Sequence, residues 1–139
     1  MKTKFKLLIS LLFLFIICAE LSGQNSFAEV KKMNCVDFKT GKFEVVDTSL
    51  NHHIIFERNK DFQIEKNQNS GAVTKCKVKW INNCTYVLTY LETEEKQAQE
   101  FIGKTLTVTI TKIEGVKYYF DAFLNGNEIK ISHYVTKLN

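Results

Sequence analysis

The side chains with chemical potential in this chain are few: Cys18, Cys35, Cys76 and Cys84, the histidines His52, His53 and His133, and the carboxylates Glu92, Glu94 and Glu95. His52 and His53 are adjacent, so on a strand they point to opposite faces and cannot jointly grip one metal ion. His133 follows Ile129 and Ile131 and precedes Val135 in one alternating row, where a hydrogen-bonded core histidine is the expectation. No ligand spacing links Cys76 to a histidine, so no metal is expected. The chain has no phosphate-cradling glycine loop, strained nucleophile turn or zinc-binding helix motif. Glu92, Glu94 and Glu95 read as a charged surface loop. These residues predict a protein that is not an enzyme, with no catalytic residue and no cofactor, acting by binding.

The compartment follows from the first residues. Lys2, Lys4 and Lys6 precede an apolar run over residues 7–19 interrupted only by Ser10. A basic segment followed by such a run is the pattern of a secretory signal peptide. As a helix the run would reach about 20 Å, short of the roughly 30 Å hydrocarbon core. Residues 1–23 are therefore read as a signal peptide, with cleavage falling somewhere in 19–28, and residues 24–139 as a single β-rich domain. The product is expected in the periplasm or outside the cell, with no transmembrane anchor. Lipid attachment at Cys18 is disfavoured because the large, β-branched Ile17 precedes it. Losing three lysines and Glu20 with the signal lowers the formal charge from +4 to +2, with both signs interspersed. That leaves no electrostatic case for nucleic acid as a partner.

The domain reads as β almost throughout. Residues 104–113 alternate Leu106, Val108 and Ile110 against threonines, the period of a half-buried strand. Glu114-Gly115 turns the chain into 116–124, where Val116, Tyr118, Phe120, Ala122 and Leu124 share a face. Asn125-Gly126 predicts a tight hairpin into 128–138. Upstream, residues 42–47, 52–58, 62–66, 73–81 and 84–91 read as further strands. Residues 92–103 are acidic and tolerate a short helical turn near 93–101, ended by Gly103. Eight strands in up-and-down order predict an all-β antiparallel meander, either a lipocalin-like small barrel or a strongly coiled sheet.

With Cys18 removed, three cysteines enter an oxidising compartment, which predicts one disulfide and one free thiol. If Asn82-Asn83 is a two-residue turn, Cys76 shares a face with Val78 and Trp80. Cys84 then lies on the other face with Tyr86 and Leu88. Cysteines on opposite faces of a hairpin cannot bond, which favours Cys35–Cys84 and leaves Cys76 as a buried thiol. A three-residue turn would reverse that register.

Two stretches carry a family resemblance: Cys35-Val36-Asp37-Phe38-Lys39-Thr40-Gly41-Lys42-Phe43, and Trp80-Ile81-Asn82-Asn83-Cys84-Thr85-Tyr86. Together they resemble small exported proteins and lipoproteins of Bacteroidota with a Cys-x-x-Phe-x-x-Gly-x-Phe opening and a later Trp-Ile-x-x-Cys-x-Tyr. The resemblance implies a small extracytoplasmic β-domain and also pairs Cys35 with Cys84. It implies no activity. Some members carry automated names mentioning DNA topoisomerase IV, a chemistry that nothing in this exported chain supports.

The aromatics are the more suggestive feature. Trp80, Tyr118 and Phe120, read as inward, could line a cavity for a small apolar ligand, or fill a narrow core. Tyr119, Phe123 and Tyr134, read as outward, could form a patch for a protein or glycan partner. The expected function is therefore the binding of a small apolar molecule. The alternative is a structural or partner-binding envelope protein without a ligand cavity.

Overall fold

A computed structural model describes residues 33–125 and 130–139. The expected signal peptide, Cys18, Gly126 of the last hairpin turn and Ile129 lie outside the described residues.

Eight antiparallel strands close into one barrel in simple sequence order. They are β1 (Gly41–Asp47), β2 (His52–Arg58), β3 (Phe62–Asn67), β4 (Val73–Trp80), β5 (Thr85–Thr93), β6 (Thr105–Glu114), β7 (Lys117–Leu124) and β8 (Lys130–Leu138). Period-two patterning drives closure, because most strands have an apolar row that only the interior can cover. Phe43, Phe56, Val78, Leu88, Val108, Ile110, Tyr118, Ala122 and Val135 form that interior. The outer rows are mostly charged or polar instead, as in Lys75, Lys77 and Lys79 of β4. An apolar inside and a wet outside are the reverse of a lipid-facing barrel. Among the described residues no helix is long and apolar enough to cross a membrane.

The two ends differ. At one end a short 3-10 turn, Val36–Phe38, lies across the barrel and buries Phe38. It is held there by the Cys35–Cys84 disulfide, with Cα atoms 5.2 Å apart, and by Lys137 Nζ donating to the Asp37 carbonyl. At the other end lie the β1–β2 and β3–β4 turns and the β5–β6 connection, which carries a second 3-10 turn, Lys96–Phe101. Short helical structure within 93–101 thus occurs as expected, although Glu92 and Thr93 belong to β5. Val116, expected to face inward at the start of β7, is instead 52% exposed in the preceding turn.

The seam between β1 and β8 is laced by only three residue pairs, from Lys42↔Leu138 to Glu44↔Thr136. Beyond them His133 takes over, its Nε2 3.1 Å from the Val46 carbonyl. A carbonyl can only accept, so Nε2 carries the proton. His133 is half-buried at this seam, bonded to backbone.

Gly41 turns the chain from the plug into β1 with φ of 130°, a region that side chains rarely tolerate. A Cβ there would also sit 3.0 Å from Lys137 Cε. Gly41→Ala is expected to lower the stability by about 1–2 kcal/mol, read from the urea midpoint. An unchanged midpoint would mean the turn relaxes freely.

The β4–β5 hairpin corrects the expected register. Trp80 pairs with Tyr86 and Val78 with Leu88, so Asn82, Asn83 and Cys84 form a three-residue connection. Asn82 Oδ1 accepts the Cys84 amide at 2.9 Å, which gives the turn its extra residue. Cys76 and Cys84 therefore lie on the same face, not opposite ones. What separates them is distance along the sheet: Cys76 pairs with Tyr90, about 20 Å up β5 from Cys84 at about 3.3 Å per residue. The Cys35–Cys84 pairing stands, but on different geometry.

Candidate functional site

The plugged end is organised around Arg58, the last residue of β2, which is only 3% exposed. Its guanidinium uses four of its five N–H groups. Nε donates to Gln63 Oε1 at 2.7 Å, and Nη1 to the Phe38 carbonyl at 3.2 Å. Nη2 donates to the Tyr86 and Tyr118 hydroxyls at 2.9 and 3.2 Å. Aromatic rings enclose it, with Tyr86, Phe56 and Phe43 centroids at 4.2, 5.1 and 5.2 Å. Desolvation works against the charge, but coupling to Tyr86 and Tyr118 outweighs it and holds Arg58 above its ordinary value. Burial is likewise what pushes the Tyr86 hydroxyl well up.

Among the described residues no carboxylate touches this cation. Its negative partner is reached through one amide: Gln63 accepts from Arg58 and donates through Nε2 to Glu65 Oε1. Gln63 and Glu65 are alternate residues of β3, paired across the sheet with Arg58 and Phe56 respectively. All four therefore share the inner face. Burial, the largest influence on Glu65, raises its carboxyl above the usual value, against the lowering pull of the Gln63 hydrogen bond and the Arg58 charge.

Above Arg58 the barrel holds a cavity of about 190 Å³. Val45, Ile54, Leu88, Leu106, Val108 and Val135 supply its apolar walls, together with Phe56 and Phe120. Arg58, Gln63, Glu65 and the hydroxyl-bearing Tyr86, Tyr90 and Tyr118 supply its polar atoms. An apolar cavity of about 150 Å³ takes up benzene, so this one has room for about seven or eight non-hydrogen atoms.

Of the aromatics singled out in the sequence, Tyr118 and Phe120 line the cavity. Trp80 packs between the two halves of the core, its ring tilted against Tyr86 with centroids 4.7 Å apart, and does not line the cavity. Tyr119 and Tyr134 face outward and lie 5.8 Å apart, with Lys112 and Lys117 over their rings. Phe123 is 47% exposed.

Cys76 is fully buried, and burial followed by the nearby Glu65 charge pushes its thiol far up. It is therefore a protonated, unreactive thiol at neutral pH. His53 pairs on the outer face with Glu44 at 2.8 Å, and among the described residues no cluster suits a metal ion. Glu95 accepts from Asn67 and Ser70, and Glu94 from the Val73 amide. These carboxylates stitch the loops of the unplugged end. Arg58, Gln63 and Glu65 were not identified from the sequence.

The Glu65 environment has a pH signature. The titratable groups facing it are Arg58 from β2, Cys76 from β4 and Tyr90 from β5. A carboxyl whose folded-state value is raised takes up a proton on folding. Its contribution is complete below the ordinary carboxylate range and is lost as pH rises through the raised folded value. Relative to Glu65→Gln, the native chain should lose stability across that interval in urea titrations at successive pH values. A difference that grows with pH would contradict this burial of Glu65.

Comparison with family models, curated proteins and solved structures gave no match to this chain.

Proposed function

We propose that this chain is an exported binding protein that holds a small apolar molecule inside its barrel, as a carrier or sensor. The observation that carries the reading is the 190 Å³ cavity, walled by aliphatic and aromatic side chains with a few polar groups gathered on one side. That division of labour is the usual one in small-molecule sites, where apolar walls supply affinity and a few polar atoms supply orientation. The N-terminal signal pattern and the Cys35–Cys84 disulfide support a site of action in an oxidising compartment.

Native mass spectrometry of the protein purified from its own host tests the reading. The expected result is an added small-molecule mass that disappears on denaturation. A Val108→Phe variant, which fills the chamber from β6, should lose that mass while keeping its β-sheet spectrum. A sequence mass alone, with no uptake of apolar probes afterwards, would overturn the proposal.

A further inference from the structure

Resting on that reading, we infer that the chamber selects an uncharged ligand carrying one hydroxyl, which donates to Glu65 and accepts from Tyr90. The argument is one of charge balance and unfilled hydrogen bonds. Arg58 is permanently protonated and buried, and its acceptors Gln63, Phe38, Tyr86 and Tyr118 are all neutral. Among the described residues the one carboxylate on the chamber wall is Glu65, tied to Arg58 through Gln63. The two charges cancel across that single amide. A ligand bringing a further charge of either sign would leave it uncompensated among apolar walls, the most heavily penalised arrangement in a protein interior.

The remaining hydrogen-bonding capacity points the same way. Arg58 has committed four of five donors, so it offers little to a ligand carboxylate. Glu65 spends one contact on Gln63 and, as a carboxylate, can only accept. Tyr90 lines the same chamber, and its hydroxyl has no hydrogen bond to any described residue. Phe101 of the second 3-10 turn rests on the Tyr90 ring, with centroids 6.0 Å apart, and holds it in place. A ligand O–H can therefore donate to Glu65 while its oxygen lone pair accepts from Tyr90, with its alkyl part against Ile54, Leu88 and Leu106.

Four probes of nearly equal size separate the alternatives: hexan-1-ol, 1-methoxypentane, hexylammonium and pentanoate. Binding of each to the full exported chain at neutral pH is read from methyl shifts of Val45, Ile54, Leu88 and Leu106. The alcohol should bind about tenfold tighter than the ether, which accepts but cannot donate, and tighter than either ion by more. In Glu65→Gln the chamber keeps Arg58 without its counter-charge, so pentanoate should gain at least about tenfold on hexan-1-ol. Should that variant not fold, Tyr90→Phe should weaken the alcohol and the ether alike, since both oxygens accept from Tyr90, while the alcohol keeps the margin that its donation to Glu65 provides. Preference for pentanoate would make Arg58 an anion seat, and preference for hexylammonium would make Glu65 a cation seat. Equal binding of alcohol and ether would mean the walls read shape alone. Each of these outcomes overturns the inference while leaving a ligand chamber intact. Failure of all four probes to bind would remove the chamber's binding role itself.

Discussion

Arg58→Ala is expected to destabilise the fold by about 3–5 kcal/mol, the cost of breaking a buried charged network from one side. The substitution removes the donor to four acceptors at once: Gln63, the Phe38 carbonyl, and the Tyr86 and Tyr118 hydroxyls. It also strands the Glu65 carboxylate, whose cation is gone, and opens a void among Phe43, Phe56 and Tyr86. Arg58→Met keeps most of the volume and isolates the polar loss. The tyrosine hydroxyls, 3.2 Å apart, can still bond each other, but the Phe38 carbonyl and Gln63 cannot be rescued. Combining Arg58→Met with Tyr86→Phe and Tyr118→Phe should recover part of the loss, because removing both sides of a buried network is cheaper than removing one. Urea denaturation of the three variants checks the series. A loss below about 1 kcal/mol for Arg58→Ala would show that water satisfies the plugged end.

The strands were legible in the sequence and this network was not, for the same physical reason. Alternation identifies a strand, but it names the buried face only where that face is apolar. On β6 it succeeds, since Leu106, Val108 and Ile110 alternate with threonines. On β3 it inverts: Ile64 faces out at 47% exposure, while Gln63 and Glu65 face the chamber. No property of 62–66 alone reveals this, because the facing of β3 is set by its pairing with β2. Arg58 looks like a strand-end charge for the same reason, and only closure of the barrel encloses it. The two stretches behind the family resemblance gain a physical meaning here. Phe38, Phe43, Trp80 and Tyr86 all surround the Arg58 guanidinium, and Cys35, Cys84 and Gly41 hold the plug that covers it. The hairpin shows the converse weakness. A dipeptide of asparagines reads as a two-residue turn, yet the Asn82 side chain captures the Cys84 amide and lengthens it, which reverses the facing of every residue on one arm relative to expectation.

Removing the disulfide, as Cys35→Ala with Cys84→Ala, should cost about 4 kcal/mol from loop closure in the chain-entropy account, given its sequence separation of 49. The structure predicts more than a uniform loss. The bond is what seats Val36–Phe38 across the barrel end, and that turn delivers the carbonyl that Arg58 Nη1 reaches. Without it, the polar ties that remain are that bond from Arg58 and two exposed contacts, Lys137 to the Asp37 carbonyl and Lys39 to Asn83 at 3.3 Å. The plug should therefore open at a free energy well below global unfolding. In hydrogen exchange the Phe38 and Lys39 amides, which bond to the Cys35 and Val36 carbonyls, should lose protection first. The amides of β4 to β7 should keep theirs. Because the disulfide and Arg58 both act through Phe38, their losses should not add. Arg58→Ala in the disulfide-free background should cost about 1 kcal/mol or more less than in the native chain. Strict additivity would instead mean that the Phe38 carbonyl stays on Arg58 without the covalent tie.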